Sequence, residues 1–155
     1  MRRSDLGLLA LRLVAGAILT AHGLPKLLGG AERTAPAIAN RLFGPNYQPA
    51  WERSGPENFS KALGAMGVPS TTMAARASGA AELGGGLGLA LGLWTPLAGW
   101  VAAANMGVAV RGAHWKNGMY GQGGYEFPLL LGAAAASLAL SGPGRLSVDG
   151  IRHRD

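Results

Sequence analysis

Between residues 77 and 110 the only charged side chain is Glu82, and an apolar helix fits on either side of Trp94, Thr95 and Pro96. A soluble helical hairpin of that length needs a polar face. None is present, so the pattern predicts two membrane helices. A carboxylate near the middle of a bilayer-spanning helix costs about 2.5–3.5 kcal/mol on insertion scales, so Glu82 should face protein, water or a partner cation. Elsewhere the charges cluster in 1–5, 32–61, 111–126 and 145–155, with apolar blocks between them. The expected fold is all-α: an integral membrane four-helix bundle, one domain over 1–155, with spans at about 6–28, 71–93, 96–111 and 125–141. A long, partly helical loop, 29–70, joins the first two. The fourth span is short for a hydrocarbon layer of about 30 Å, which local thinning or interfacial helix ends would accommodate.

The first segment carries Arg12, His22 and Lys26. His22 and Lys26 are four apart and share a helix face, and Pro25 should kink or end the helix. In the loop, Pro56, Glu57, Phe59, Leu63 and Met66 followed by Gly67 and Pro69 predict a short amphipathic helix with a proline start and a glycine stop. Ile38, Leu42 and Phe43 suggest another. Tyr47, Trp51 and Phe59 should place this segment at the membrane interface, where aromatic rings settle. Ser70 or Thr71 would cap the second long helix. Within it Gly84, Gly88 and Gly92 recur every four residues, a face bare of side chains on which another helix can approach closely. Gly99, Ala103 and Gly107 repeat the device in the third span, and Gly132 and Ala136 in the fourth.

Composition changes this picture little. A hydrophobic fraction of 48% in 155 residues is ordinary. The absence of cysteine excludes disulfides, Cys-ligated zinc, iron–sulfur centres and any thiol relay within the chain. The net charge of +6 comes from basic residues flanking apolar segments, which suits anionic lipid head groups. No interleaved basic and aromatic patch points to nucleic acid. Arg12 interrupts what would otherwise read as a signal peptide after Met1-Arg2-Arg3, so the first helix should stay attached. Four spans put both termini on one side. Arg2, Arg3, Arg145, Arg152 and Arg154 argue that this side is cytoplasmic, although Lys26, Arg33, Arg41, Arg53, Lys61, Arg111 and Lys116 on the other side dilute the bias.

At about 1.5 Å of rise per residue, antiparallel stacking brings Arg12, Glu82 and Asn105 to one level. The simplest reading is structural: Arg12 pairs with Glu82, and Asn105 bonds between helices. The functional version has Glu82 and Arg12 handling a proton or holding an acidic group at the foot of a cavity. His22, Lys26, Arg76, Arg111, His114 and Glu126 fall toward the longer loops. Lys26, Arg76 and Arg111 could simply snorkel to the interface. Alternatively this layer forms a pocket for an anionic or quinone-like head, since histidine titrates near neutral pH and can exchange protons with a quinone. His22 and His114 could instead ligate haem or a metal from two helices, but without an obvious second shell they are a weak signal. No metal is expected.

The runs Ala21-His22-Gly23-Leu24-Pro25-Lys26-Leu27, Glu82-Leu83-Gly84-Gly85-Gly86 and Asn117-Gly118, then Gly123-Gly124-Tyr125-Glu126-Phe127-Pro128, together with the tail Gly142-Pro143-Gly144-Arg145-Leu146-Ser147-Val148-Asp149, resemble the DoxX family in sequence order. The connection 30–56 is longer than the family's usual one. The resemblance implies a four-helix bacterial inner-membrane protein, related by name to subunits of quinone-linked sulfur oxidation and terminal oxidases. It points to His22, Lys26, Glu82 and Glu126, and less directly to Arg12, Asn105 and His114. The expected function is that of a membrane subunit of a redox system binding a quinone or similar amphiphile, with no covalent cofactor. The alternative is a noncatalytic accessory subunit that binds other membrane proteins, or a second copy of itself, through loop 29–70 and its glycine faces. A small-solute transporter or lipid-binding protein is a third reading, but the chain lacks visible inverted repeats or broken helices.

Overall fold

In chain order the helices of the computed structural model are α1 (Arg3–Leu28), α2 (Ala37–Phe43), α3 (Tyr47–Arg53), α4 (Pro56–Ala65), α5 (Thr71–Leu91), α6 (Thr95–Ala109), α7 (Glu126–Ser141) and α8 (Val148–Arg152). A π-helical turn, Val110–His114, and a 3-10 turn, Trp115–Asn117, extend α6. The structure describes residues 3–68 and 71–152, and among these there is no strand. The four long helices form a ring in which α1 packs on α5, α5 on α6, α6 on α7, and α7 back on α1. Pro25 lies in the last turn of α1, which ends soon after it. The expected cap Ser70, the stop Pro69, and Arg2 and Arg154 lie outside the described residues.

Glycine decides how closely α1 and α5 approach. A Cβ on Gly16 would lie 2.6 Å from the Gly86 carbonyl, and one on Gly86 would lie 2.7 Å from the Thr20 nitrogen. Farther along, a Cβ on Gly23 would lie 2.5 Å from the Leu83 nitrogen, and one on Gly79 would lie 2.8 Å from Leu27. These glycines repeat every seven residues on each helix. The expected four-residue stripe does not form one interface: Gly84 faces open space, Gly88 meets Ala98 of α6, and Gly92, at φ +64°, turns the chain between α5 and α6. A four-residue step drifts about 40° around a helix each time, so three such positions cannot stay on one contact. In α6, Gly99 packs on Ala135 and Ala139 of α7, while Gly107 faces open space.

The core is built of small residues, with Ala15, Ala98, Ala102 and Ala135 around Leu19, Leu89 and Leu138. Many larger apolar side chains point outward, among them Leu13, Val14, Leu87, Leu97, Trp100, Val108, Leu130 and Leu140. Among the described residues α1 is the one helix both long and apolar enough to cross a membrane, and α7 is apolar but has 16 residues.

Loop 29–70 carries α2, α3 and α4, and α4 begins at Pro56. Tyr47 and Trp51 face inward. They are buried with Ala35 and Ala39 in a small second core under Ala21 and Leu24 of α1. Burial pushes the Tyr47 phenol above its usual pKa. Gln48 pins this core by accepting from the Ala35 N–H at 2.8 Å.

At the opposite end the C-terminal segment hooks back over the bundle. Asp149 accepts from the Trp94 and Thr95 N–H groups, each at 3.0 Å, so a carboxylate sits at the N-terminus of α6. Its own N–H donates to Gly92 O at 2.9 Å. Arg12, 1% exposed, donates to the Leu146 carbonyl of the same hook.

Two expectations follow. Gly16→Leu or Gly86→Leu should abolish a monodisperse folded protein in detergent, whereas Gly84→Leu should change stability by less than about 0.5 kcal/mol, as read by thermal unfolding. Asp149→Ala should cost about 1 kcal/mol in the same assay, the worth of an N-terminal helix cap.

Candidate functional site

α5 and α6 touch near their connecting turn, where Gly88 meets Ala98 and Gly85 meets Ala102. One level farther from the turn stand Glu82 and Asn105, and beyond them the helices border a cavity of about 920 Å³. α1 contributes Leu19, His22 and Lys26, which recur at helical spacing on one face. α4 covers the cavity with Phe59 and Leu63, and α7 adds Glu126, Phe127 and Leu131. The rest of the lining is largely alanine, valine and glycine.

The polar centre is an ion pair. Lys26 Nζ lies 2.6 Å from Glu82 Oε1, with side chains 21% and 3% exposed. Asn105 Nδ2 donates to the same oxygen at 3.2 Å. Lys26 also stands 4.6 Å from the centroid of Phe59, tying the lid helix to the pair. Glu82 Oε2 is buried with no hydrogen-bond partner among the described residues. His22 is neighboured by the Phe127 ring, with centroids 6.2 Å apart.

The expected pairing of Arg12 with Glu82 is therefore replaced. Arg12 belongs to the hook at the far end of the bundle, and Lys26 neutralises Glu82. Equal rise per residue misjudged the level because the helices start at different depths. The long, flexible lysine also reaches along α1 from its last turn. His22, Lys26, Glu82, Asn105, His114 and Glu126 all line the one cavity, so the two expected layers merge on its walls. Arg12 lines no part of it, and Arg76 and Arg111 are exposed outside it. Phe59 and the Gly121–Gly124 stretch were not foreseen as lining. The amphipathic pattern of α4 signalled the first, and no local signal placed the second. Among the described residues there is no group of three metal-binding side chains.

A family model, DoxX, matches residues 7–115. The chain belongs to the DoxX family. The match takes in the ion pair, Asn105, His22, His114 and the lid helix α4. Glu126, α7 and the hook follow it. No curated protein and no solved structure matches the chain. Membership makes this a DoxX-family membrane protein. Its cavity presents an ion-paired, hydrogen-bonding floor beneath largely apolar walls that also carry His22, His114 and Glu126, suited to a compact polar head with an apolar tail.

Removing one partner of a buried pair strands the other charge. Lys26→Met should lower the stability of this DoxX protein by about 3 kcal/mol, and adding Glu82→Gln should restore part of the loss. The check is thermal unfolding of the two variants in one detergent; additive losses would show that the pair does not couple.

Proposed function

We propose that this protein is a multi-pass inner-membrane subunit of a redox system that binds a quinone or a similar amphiphile in the cavity between α1, α5, α6 and α7. The observation that carries the reading is the Lys26–Glu82–Asn105 cluster at the foot of a largely apolar cavity of about 920 Å³. A cavity of this size is in the range of small-molecule sites. His22 and Glu126 supply further head-group or proton contacts on its walls. The outward-facing leucine, valine and tryptophan side chains around a core of alanine and leucine, with glycine at the helix contacts, support immersion of all four long helices in lipid. Asp5 accepts from the Arg145 N–H at 3.2 Å, so the start of α1 and the C-terminal hook lie at one end of the bundle. Arg3, Arg145 and Arg152 support a cytoplasmic position for that end.

A second reading, an accessory subunit that binds a partner protein through loop 29–70, draws on the exposed Ile38 and Leu42 of α2. Native mass spectrometry of protein isolated from its own membranes separates the two. A quinone-class molecule bound at one per chain, and lost in His22→Phe, supports the first. A stoichiometric protein partner with only phospholipid in the cavity overturns it in favour of the second. Because the chain has no cysteine, single cysteines at Tyr120 and Val148 report topology cleanly. A membrane-impermeant thiol reagent should label the first and not the second on intact cells.

A further inference from the structure

The glycine-rich segment that joins the π-helical turn to α7 has no part in the ion pair, yet it is heavily constrained. Gly118, Gly121 and Gly123 have φ of +76°, +105° and +77°, conformations that side chains disfavour. Backbone bonds close the loop, with Tyr125 N donating to Gly118 O at 3.1 Å and Glu126 N donating to Met119 O at 3.2 Å. The Trp115 and Tyr125 rings stack across its base at 5.2 Å. This framework holds one carbonyl, that of Gly123, where two side chains converge. Asn117 Nδ2 donates to it at 2.9 Å, and His114 Nδ1 lies 2.8 Å away.

A carbonyl has no proton to give, so His114 must carry its proton on Nδ1 to make this bond. In the neutral ring Nε2 is then a bare lone pair, an acceptor. Among the described residues no hydrogen bond reaches Nε2, and His114 lines the cavity. π-helical turns frequently mark functional sites, and this one ends on His114.

We propose that residues 114–125 form a hydroxyl-recognition device, in which Gly123 and Asn117 fix His114 as the Nδ1–H tautomer so that Nε2 accepts from a hydroxyl on the bound amphiphile. The hydroquinone form of a head group meets this requirement, and a quinone or an ether does not. The inference rests on the proposed amphiphile-binding function and adds which chemical form the cavity selects. Asn117 is a positioning residue. It shares the Gly123 carbonyl and holds the loop without facing the ligand's hydroxyl itself.

The test uses the full chain in lipid nanodiscs at pH 8, with an alkylated hydroquinone kept reduced, its dimethyl ether and the corresponding quinone as probes. The wild-type protein should bind the hydroquinone about tenfold more tightly than either, the ratio expected of one hydrogen bond gained or left unmade. His114→Phe should bring the three affinities together. Histidine nitrogen NMR of the unmodified protein gives a measurement independent of any variant. It should show protonated Nδ1 and bare Nε2 at His114, with Nε2 shifting on addition of the hydroquinone and not of its ether. Asn117→Ala should mix the tautomers. Equal affinities for the three probes in wild type, or an Nε2–H tautomer at His114, overturns the hydroxyl device and leaves amphiphile binding intact. Absence of saturable binding by any probe overturns both.

Discussion

Gly23 lies so close to Glu82 and Leu83 that a methyl group at that position would meet their backbone. This contact between α1 and α5 sets the site as well as the fold. With Gly23 against Glu82, and Gly79 against Lys26 and Leu27, the lysine at the end of α1 has the carboxylate within reach. A thicker interface would separate the two charges, and each would then bear its desolvation cost without the other's compensation. The bare helix faces and the ion pair are thus one constraint. The backbones approach because side chains are missing, and the approach brings the charges together.

The two ends of the bundle use polar groups differently. At the end holding the hook, Arg12 and Asp149 bond to backbone groups: the Leu146 carbonyl, and the N–H groups at the start of α6. These bonds tie the hook to the turn between α5 and α6. At the other end the polar groups line open space, and Lys26, Glu82, Asn105, His22, His114 and Glu126 surround the cavity. Small residues allow close helix contact near the turn, where Gly85 and Gly88 meet α6. Farther from the turn, Ala77, Ser78, Ala81 and Ala104 border the cavity and leave it room. The same class of residue therefore permits packing at one level and volume at another, and helix divergence decides which.

Loop 29–70 is a folded cover. Its own small core of Ala35, Ala39, Tyr47 and Trp51 seats it against α1, and this brings α4 over the cavity with Phe59 beside Lys26. Burying two aromatic rings against α1 gives the loop a fixed position that a solvated linker lacks. The lid and the ion pair consequently share one side chain.

By itself the sequence determined the all-α class, the approximate course of the four long helices, the family, and most of the polar residues around the cavity. It did so because hydrophobic runs and rare intramembrane charges are local signals: Glu82 stands alone between residues 77 and 110, and His22 and Lys26 share a face whatever the neighbours are. Tertiary structure alone decided which cation meets Glu82, because Lys26 and Arg12 are both available along α1 and only interhelix depth distinguishes them. It likewise decided which glycines pack. Gly84 and Gly86 look equivalent in a row of three glycines, yet one faces open space and the other meets Thr20 and Gly16. The tautomer of His114 depends on Gly123, and the burial of Arg12 depends on a carbonyl near the far end of the chain. Such relations join residues through space, and no periodicity along the chain encodes them.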